Sequence, residues 1–113
     1  MRNSLTSLAL RQSVMPKATY KIRSKVWLYE GVGGWHFITL SVRQSATIQA
    51  LFASQAKPFG SIAVSALIGN TRWKSSLFPV VRLKQYLLPI KAEVRKKEKV
   101  ALGDTVTVTI DIL

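Results

Sequence analysis

Residues Gly60–Pro79 read GSIAVSALIGNTRWKSSLFP, and the fold follows from them. Ile62, Val64, Ala66 and Ile68 place an apolar side chain at every second position, the period of a strand with one buried face. Gly69-Asn70 is turn chemistry, since both residue types tolerate positive φ. Thr71–Phe78 then sets Trp73, Ser75 and Leu77 on one face and Arg72, Lys74, Ser76 and Phe78 on the other. Two antiparallel strands joined by a tight turn are therefore expected here, with Pro79 closing the second.

Outward from this hairpin the same period recurs. Tyr20–Tyr29 puts Tyr20, Ile22, Val26 and Leu28 on one face, with Ser24 among them, and Lys21, Arg23 and Lys25 on the other. Gly31, Gly33 and Gly34 permit a reversal into a second strand, Trp35–Leu40, and the two make a first hairpin. The period then changes to helical: Ile48, Leu51, Phe52 and Gln55 recur on one stripe. Ser41–Gln44 has the form of a capping box, so a helix starts near Ser41 or Ser45, and Lys57-Pro58 ends it. Val80–Leu88 reads as a further strand stopped by Pro89, and Ile90–Lys99 as a short helix with Ile90 and Val94 inward and Glu93 paired to Lys97. Thr105–Leu113 closes the chain with Val106, Val108, Ile110 and Ile112 on one face. The order β-β-α-β-β-β-α-β implies a mainly β protein: a small closed six-stranded barrel with two short helices, because closure removes exposed edges.

Composition bounds the function. The 113 residues suit one domain, 20–113, preceded by a tail, 1–19. In that tail Met15, before Pro16-Lys17, reads as the natural start, with Met1–Val14 an extension or disordered arm. Cysteine is absent, which excludes disulfides and Cys-ligated metals and is compatible with a reducing cytoplasm. No apolar run approaches the roughly 18–20 residues of a membrane span. Lys and Arg number 17 against 5 Asp and Glu, a net charge of +12. Such a surface attracts phosphates and nucleic acid without sequence preference.

Three ordered motifs resemble a known family. The first is Trp35-His36-Phe37-Ile38. The second runs from Gly60 to Gly69 and on through Thr71–Pro79. The third is Tyr86–Lys91, then Val94-Arg95-Lys96 and Gly103–Val106. Together they are similar to a bacterial family of domains of unknown function, the one numbered nineteen-oh-five, over Tyr20–Leu113. The resemblance implies a double-split β-barrel, seen remotely in AbrB- and MazE-like DNA-binding proteins, and no established activity. In some relatives a second domain similar to bacteriocin-protection proteins follows, so this chain is expected to be the stand-alone form. Two departures from the family pattern stand out: Val80–Gln85 lacks the usual glycine-bearing turn, and Ser41 stands where a proline commonly starts the helix.

No catalytic constellation is spelled out. The single histidine, His36, and five scattered acids have no diagnostic spacing for a triad or a metal site. His36 reads as an ordinary strand residue. The Gly31–Gly34 loop lacks the GK[ST] of a phosphate loop. The candidate binding set is basic and aromatic: Trp35, Arg72, Trp73, Lys74, Ser75, Ser76, Tyr86, Lys91 and Arg95. Arg95 and Lys91 suit a carboxylate or phosphate, and Trp73 a stacking wall. In the competing account Trp35 and Trp73 plug the core, Ser75 and Ser76 tie turns, and Lys91 and Arg95 form a solvated helix face. The expectation is a non-enzymatic barrel, monomeric or homodimeric, without cofactor or metal, that binds an anionic ligand or a protein partner. The alternative is a module that binds nucleic acid non-specifically through its basic surface. Removing Met1–Val14 is expected to leave the melting temperature nearly unchanged; a large drop would show that this arm docks on the domain.

Overall fold

The computed structural model describes residues 17–113. One antiparallel sheet of seven strands carries the fold, in the order β1-β7-β4-β5-β6-β3-β2. The strands are β1 (Ala18–Lys25), β2 (Trp27–Leu28), β3 (His36–Thr39), β4 (Ile62–Ile68), β5 (Thr71–Val80), β6 (Gln85–Pro89) and β7 (Thr105–Ile112). Helix α1 (Val42–Phe52) follows β3, and α2 (Ala92–Glu98) follows β6. The expected tail falls outside the described residues except at its end, where Ala18 and Thr19 already pair with Ile112 and Asp111. No helix among the described residues is long and apolar enough to cross a membrane.

The central hairpin forms as its alternation demands. β4 and β5 pair from Ile62↔Leu77 to Ile68↔Thr71. Gly69 takes the left-handed conformation at the turn, with φ 54°, and a Cβ there would run into the Glu98 carboxylate. That carboxylate accepts a 2.6 Å bond from Thr71 Oγ1, which fastens the end of α2 to the start of β5. β7 pairs with β1 on one side and β4 on the other. Its Val108, Ile110 and Ile112 are fully buried and Val106 nearly so, as strict alternation requires.

Three expectations need correction. The ladder is not a closed six-stranded barrel; it is an open order of seven strands, curled into a half-barrel, with β1 and β2 at its ends. The cause lies at Val26. There the run Tyr20–Tyr29 leaves β7, and the buried Val26 pairs its backbone with the turn before β7: its N–H donates to Asp104 O and its carbonyl accepts from Gly103 N. Only Trp27–Leu28 pairs with β3, so the expected first hairpin is a two-residue ladder. Second, Val80–Leu88 is not one strand. β5 continues through Val80, a 3-10 turn occupies Val81–Leu83, and Lys84 takes the left-handed position (φ 56°) that a glycine would usually fill. Third, Leu51 faces solvent, Ile90 precedes α2, and Glu93 forms no ion pair with Lys97. Among the described residues the ion pair within 4 Å is Arg72–Asp111.

Helix α1 bridges β1 and β6. Ser41 is its N-cap, accepting from Gln44 N at 3.1 Å. Ile48 and Phe52 enter the core. Gln44 Nε2 donates to Lys21 O on β1, and the buried Ser45 Oγ accepts from Tyr86 N on β6. Between the ends, Ser24 Oγ donates to Thr39 O at 3.0 Å, and Trp27 Nε1 to Thr39 Oγ1 at 2.8 Å. Side chains thus join β1 to β3, where no backbone ladder runs, and reinforce the short β2–β3 ladder.

Val108 sits in the fully buried row, so Val108→Asp places an unpaired carboxylate in the core. It is expected to cost several kcal/mol, a large share of a small domain's stability. A denaturant melt like that of the parent would overturn the inward assignment. Burial raises the pKa of the Tyr86 hydroxyl above its ordinary value. Its contribution is therefore complete below the unfolded-state value of about 10 and is lost as pH rises beyond it, because the unfolded chain ionises first. Tyr86→Phe is expected to remove that part of the alkaline loss in melts taken between pH 8 and 11; an identical loss in the variant would contradict it.

Candidate ligand cleft

The site arises where β5 changes partners. Its first part, Thr71–Leu77, pairs with β4, and its last part, Phe78–Val80, pairs with β6. The β6 ladder stops at Phe78↔Leu87. Backbone direction alternates along a strand, and Tyr86 and Ile90 turn toward β3: Leu40 N donates to Tyr86 O, and Ile90 N to His36 O. Pro89 therefore faces β5, opposite Ser76, and proline has no N–H to donate. From there the strands part. Ile90 is tied to β3 and Lys91 becomes the N-cap of α2.

The parting opens a cleft of about 450 Å³. Lys74, Ser75 and Ser76 line it from β5, Pro89 and Lys91 from the β6 side, and Trp35 and Phe78 as aromatic walls, with Trp73 beneath. Lys74 and Lys91 are exposed, and among the described residues neither ammonium is paired with a carboxylate. Ser75 and Ser76 are half-buried, and neither hydroxyl bonds to another described group. No carboxylate lines the cleft. Trp35 is 53% exposed and lies nearly parallel to Phe37, 11° between planes and 6.1 Å between ring centroids. Trp73 is the opposite case: at 7% exposure it is chiefly a core residue that shows one edge.

Six of the nine candidate residues thus meet in one place: Trp35, Trp73, Lys74, Ser75, Ser76 and Lys91. The other three point elsewhere. Arg72 donates to Ser65 Oγ and Asp111 Oδ2 on the outer face of β4 and β7. Tyr86 is buried and borders a separate cleft of about 430 Å³ between α1 and the β5–β6 turn. Arg95 turns back, its Nε donating to Ile90 O and its Nη1 lying 3.3 Å from His36 Nε2. With His36 Nδ1 2.8 Å from Gly34 O, the imidazole that accepts from Arg95 carries its proton on Nδ1. His36 is engaged on both nitrogens, and neither partner is a carboxylate.

Phe78 and Pro89 complete the cleft and were not anticipated from sequence. Phe78 did carry a signal: it is the apolar residue on the outward face that otherwise holds Arg72, Lys74 and Ser76. A different stretch gathers more charge. Lys21, Arg23 and Lys25 form an exposed row on β1, in register with Thr109, Thr107 and Thr105 of β7.

Comparison with curated proteins finds none that matches. The family model described as Domain of unknown function (DUF1905) matches residues 23–110, from within β1 to within β7, and the chain belongs to that family.

Proposed function

We propose that this protein is a non-enzymatic binding module whose ligand is a small anion with a planar or apolar body, held in the cleft between β5 and β6. The observation that carries this is that Lys74, Lys91, Ser75, Ser76 and the exposed Trp35 line one cleft that no acid lines, with neither serine hydroxyl bonded to another described group. Each group has a binding role. The ammonium groups neutralise and donate, the serine hydroxyls donate in fixed positions, and the Trp35 and Phe78 rings cover an apolar face. The one imidazole lies outside this lining, bonded to Gly34 O and facing Arg95. A cysteine-free chain of this kind suits the cytoplasm.

A second reading is non-specific binding of nucleic acid through the basic surface. It is favoured by the row Lys21, Arg23 and Lys25 and by the net charge of +12. The two differ in salt response and in the residues they need.

Calorimetric titration with phenyl phosphate, with inorganic phosphate as comparator, separates them. Charged hydrogen bonds contribute roughly 1.5–3 kcal/mol, so Lys91→Ala and Lys74→Ala are each expected to weaken phenyl phosphate binding by about tenfold. The triple change Lys21→Ala, Arg23→Ala, Lys25→Ala is expected to leave it unchanged. Affinity that ignores both cleft lysines and falls only with salt would refute the cleft.

A further inference from the structure

Beside the cationic cleft lies a second one of about 450 Å³, lined by Tyr29, Trp35, Phe37, Phe78 and Leu87. Trp35 and Phe78 line both, so they stand as a ridge between them. The second cleft is walled almost wholly by carbon. Its Tyr29, Trp35 and Phe78 are 51%, 53% and 45% exposed, which is unusual for neighbouring large aromatics on one surface. Trp35 stacks on Phe37, and Trp27 packs against the same ring at 5.2 Å. The aromatic surface is therefore backed from beneath and offers its rings without rearrangement.

The two clefts suit two chemically different parts of one ligand. A planar group in the aromatic cleft meets the rings of Trp35, Phe37 or Tyr29. A group joined to it across the ridge reaches Lys74, Lys91, Ser75 and Ser76. Planar units joined at short intervals by anions are the structure of a single-stranded nucleic acid, whose bases stack on aromatic side chains while cations follow its backbone. A duplex hides its base faces, so it cannot use the aromatic cleft. Both clefts are open along the surface, which allows a strand to enter and leave. Lys21, Arg23 and Lys25, with the overall charge of +12, attract further phosphates of the same strand.

We propose that the paired clefts bind single-stranded nucleic acid, with a base stacked in the Tyr29–Trp35–Phe37 cleft and a neighbouring phosphate held by Lys74 and Lys91. This rests on the cationic cleft being a binding site, and it names the ligand. Fluorescence anisotropy of a labelled ten-nucleotide oligouridylate, titrated with the full chain at two salt concentrations, tests it. The unlabelled strand is expected to quench tryptophan emission, because Trp35 is the exposed indole. Trp35→Ala is expected to weaken binding about tenfold or more, and Trp35→Phe to keep part of it. Lys91→Ala is expected to reduce the slope of log affinity against log salt by about one. A duplex of the same length is expected to bind at least tenfold more weakly. Trp35 lies outside the strands, so both variants are expected to melt with the parent; should they not fold, the Lys91→Ala slope and the duplex comparison still decide. Equal affinity for duplex and single strand would overturn the proposal. So would binding that ignores Trp35 and is lost with the triple change at Lys21, Arg23 and Lys25. Uridine monophosphate that displaces the strand at comparable affinity would identify a mononucleotide site instead. If phenyl phosphate binds with dependence on Lys91 and the oligonucleotide does not, this proposal falls and the cleft stands; if neither binds, both fall.

Discussion

A missing N–H governs the cleft between β5 and β6. Pro89 faces β5 and cannot complete the ladder that Phe78↔Leu87 begins, while Ile90 next to it is already bonded to β3. β5 is ten residues long, longer than the seven of β4 or the five of β6. It holds β4 over its first seven residues and β6 over its last three. Pro79, on the same strand, does no harm because β4 has ended at Ile62↔Leu77 before its N–H would be needed. The two prolines thus mark where one pairing stops and the other starts.

A similar exchange happens at Val26, where β1 gives up β7 and the next residue, Trp27, begins the pairing of β2 with β3. Because both exchanges turn the chain in the same sheet, it curls around one core, which contains the inward rows of β4 and β7 together with Ile48 and Phe52 of α1. The helix then supplies what the ladder lacks between its ends: Gln44 satisfies a β1 carbonyl, and Ser45 a β6 N–H. Buried polar groups left without such partners would cost more than the bonds themselves gain. A small domain tolerates an open sheet here because those groups are covered and paired.

The alternating strands were legible because a half-buried strand writes its burial into every second residue. β4 and β7 show this directly, down to the buried Val64, Val108 and Ile110. The Ser41 cap was legible for a like reason, since the side chain and its target lie three residues apart. Partner choice was not. Tyr20–Leu28 has one continuous pattern, yet its halves bond to different strands, and nothing local distinguishes pairing with β7 from pairing with β3. The turn at Val81–Lys84 was hidden by its residues, since Val80 and Val81 favour a strand, no glycine or proline marks the turn, and only the tertiary course of the chain puts Lys84 at positive φ. In the candidate set, the neighbours Trp73–Ser76 stayed together because one strand carries them, and Lys91 joined them through the proline beside it. Arg72 was drawn off by Asp111, a contact set by long-range register, and Arg95 by the Ile90 carbonyl five residues before it and by His36 on a distant strand.

The central claim is that the parting of β5 from β6 makes the binding site. Amide and indole chemical shifts of the ¹⁵N-labelled protein, followed as phenyl phosphate is added, test it most directly. The account predicts saturable shifts confined to Lys74–Phe78, Lys91 and the Trp35 indole, with β1 unmoved. Shifts spread along Lys21, Arg23 and Lys25 that never saturate, with the cleft residues silent, would contradict it.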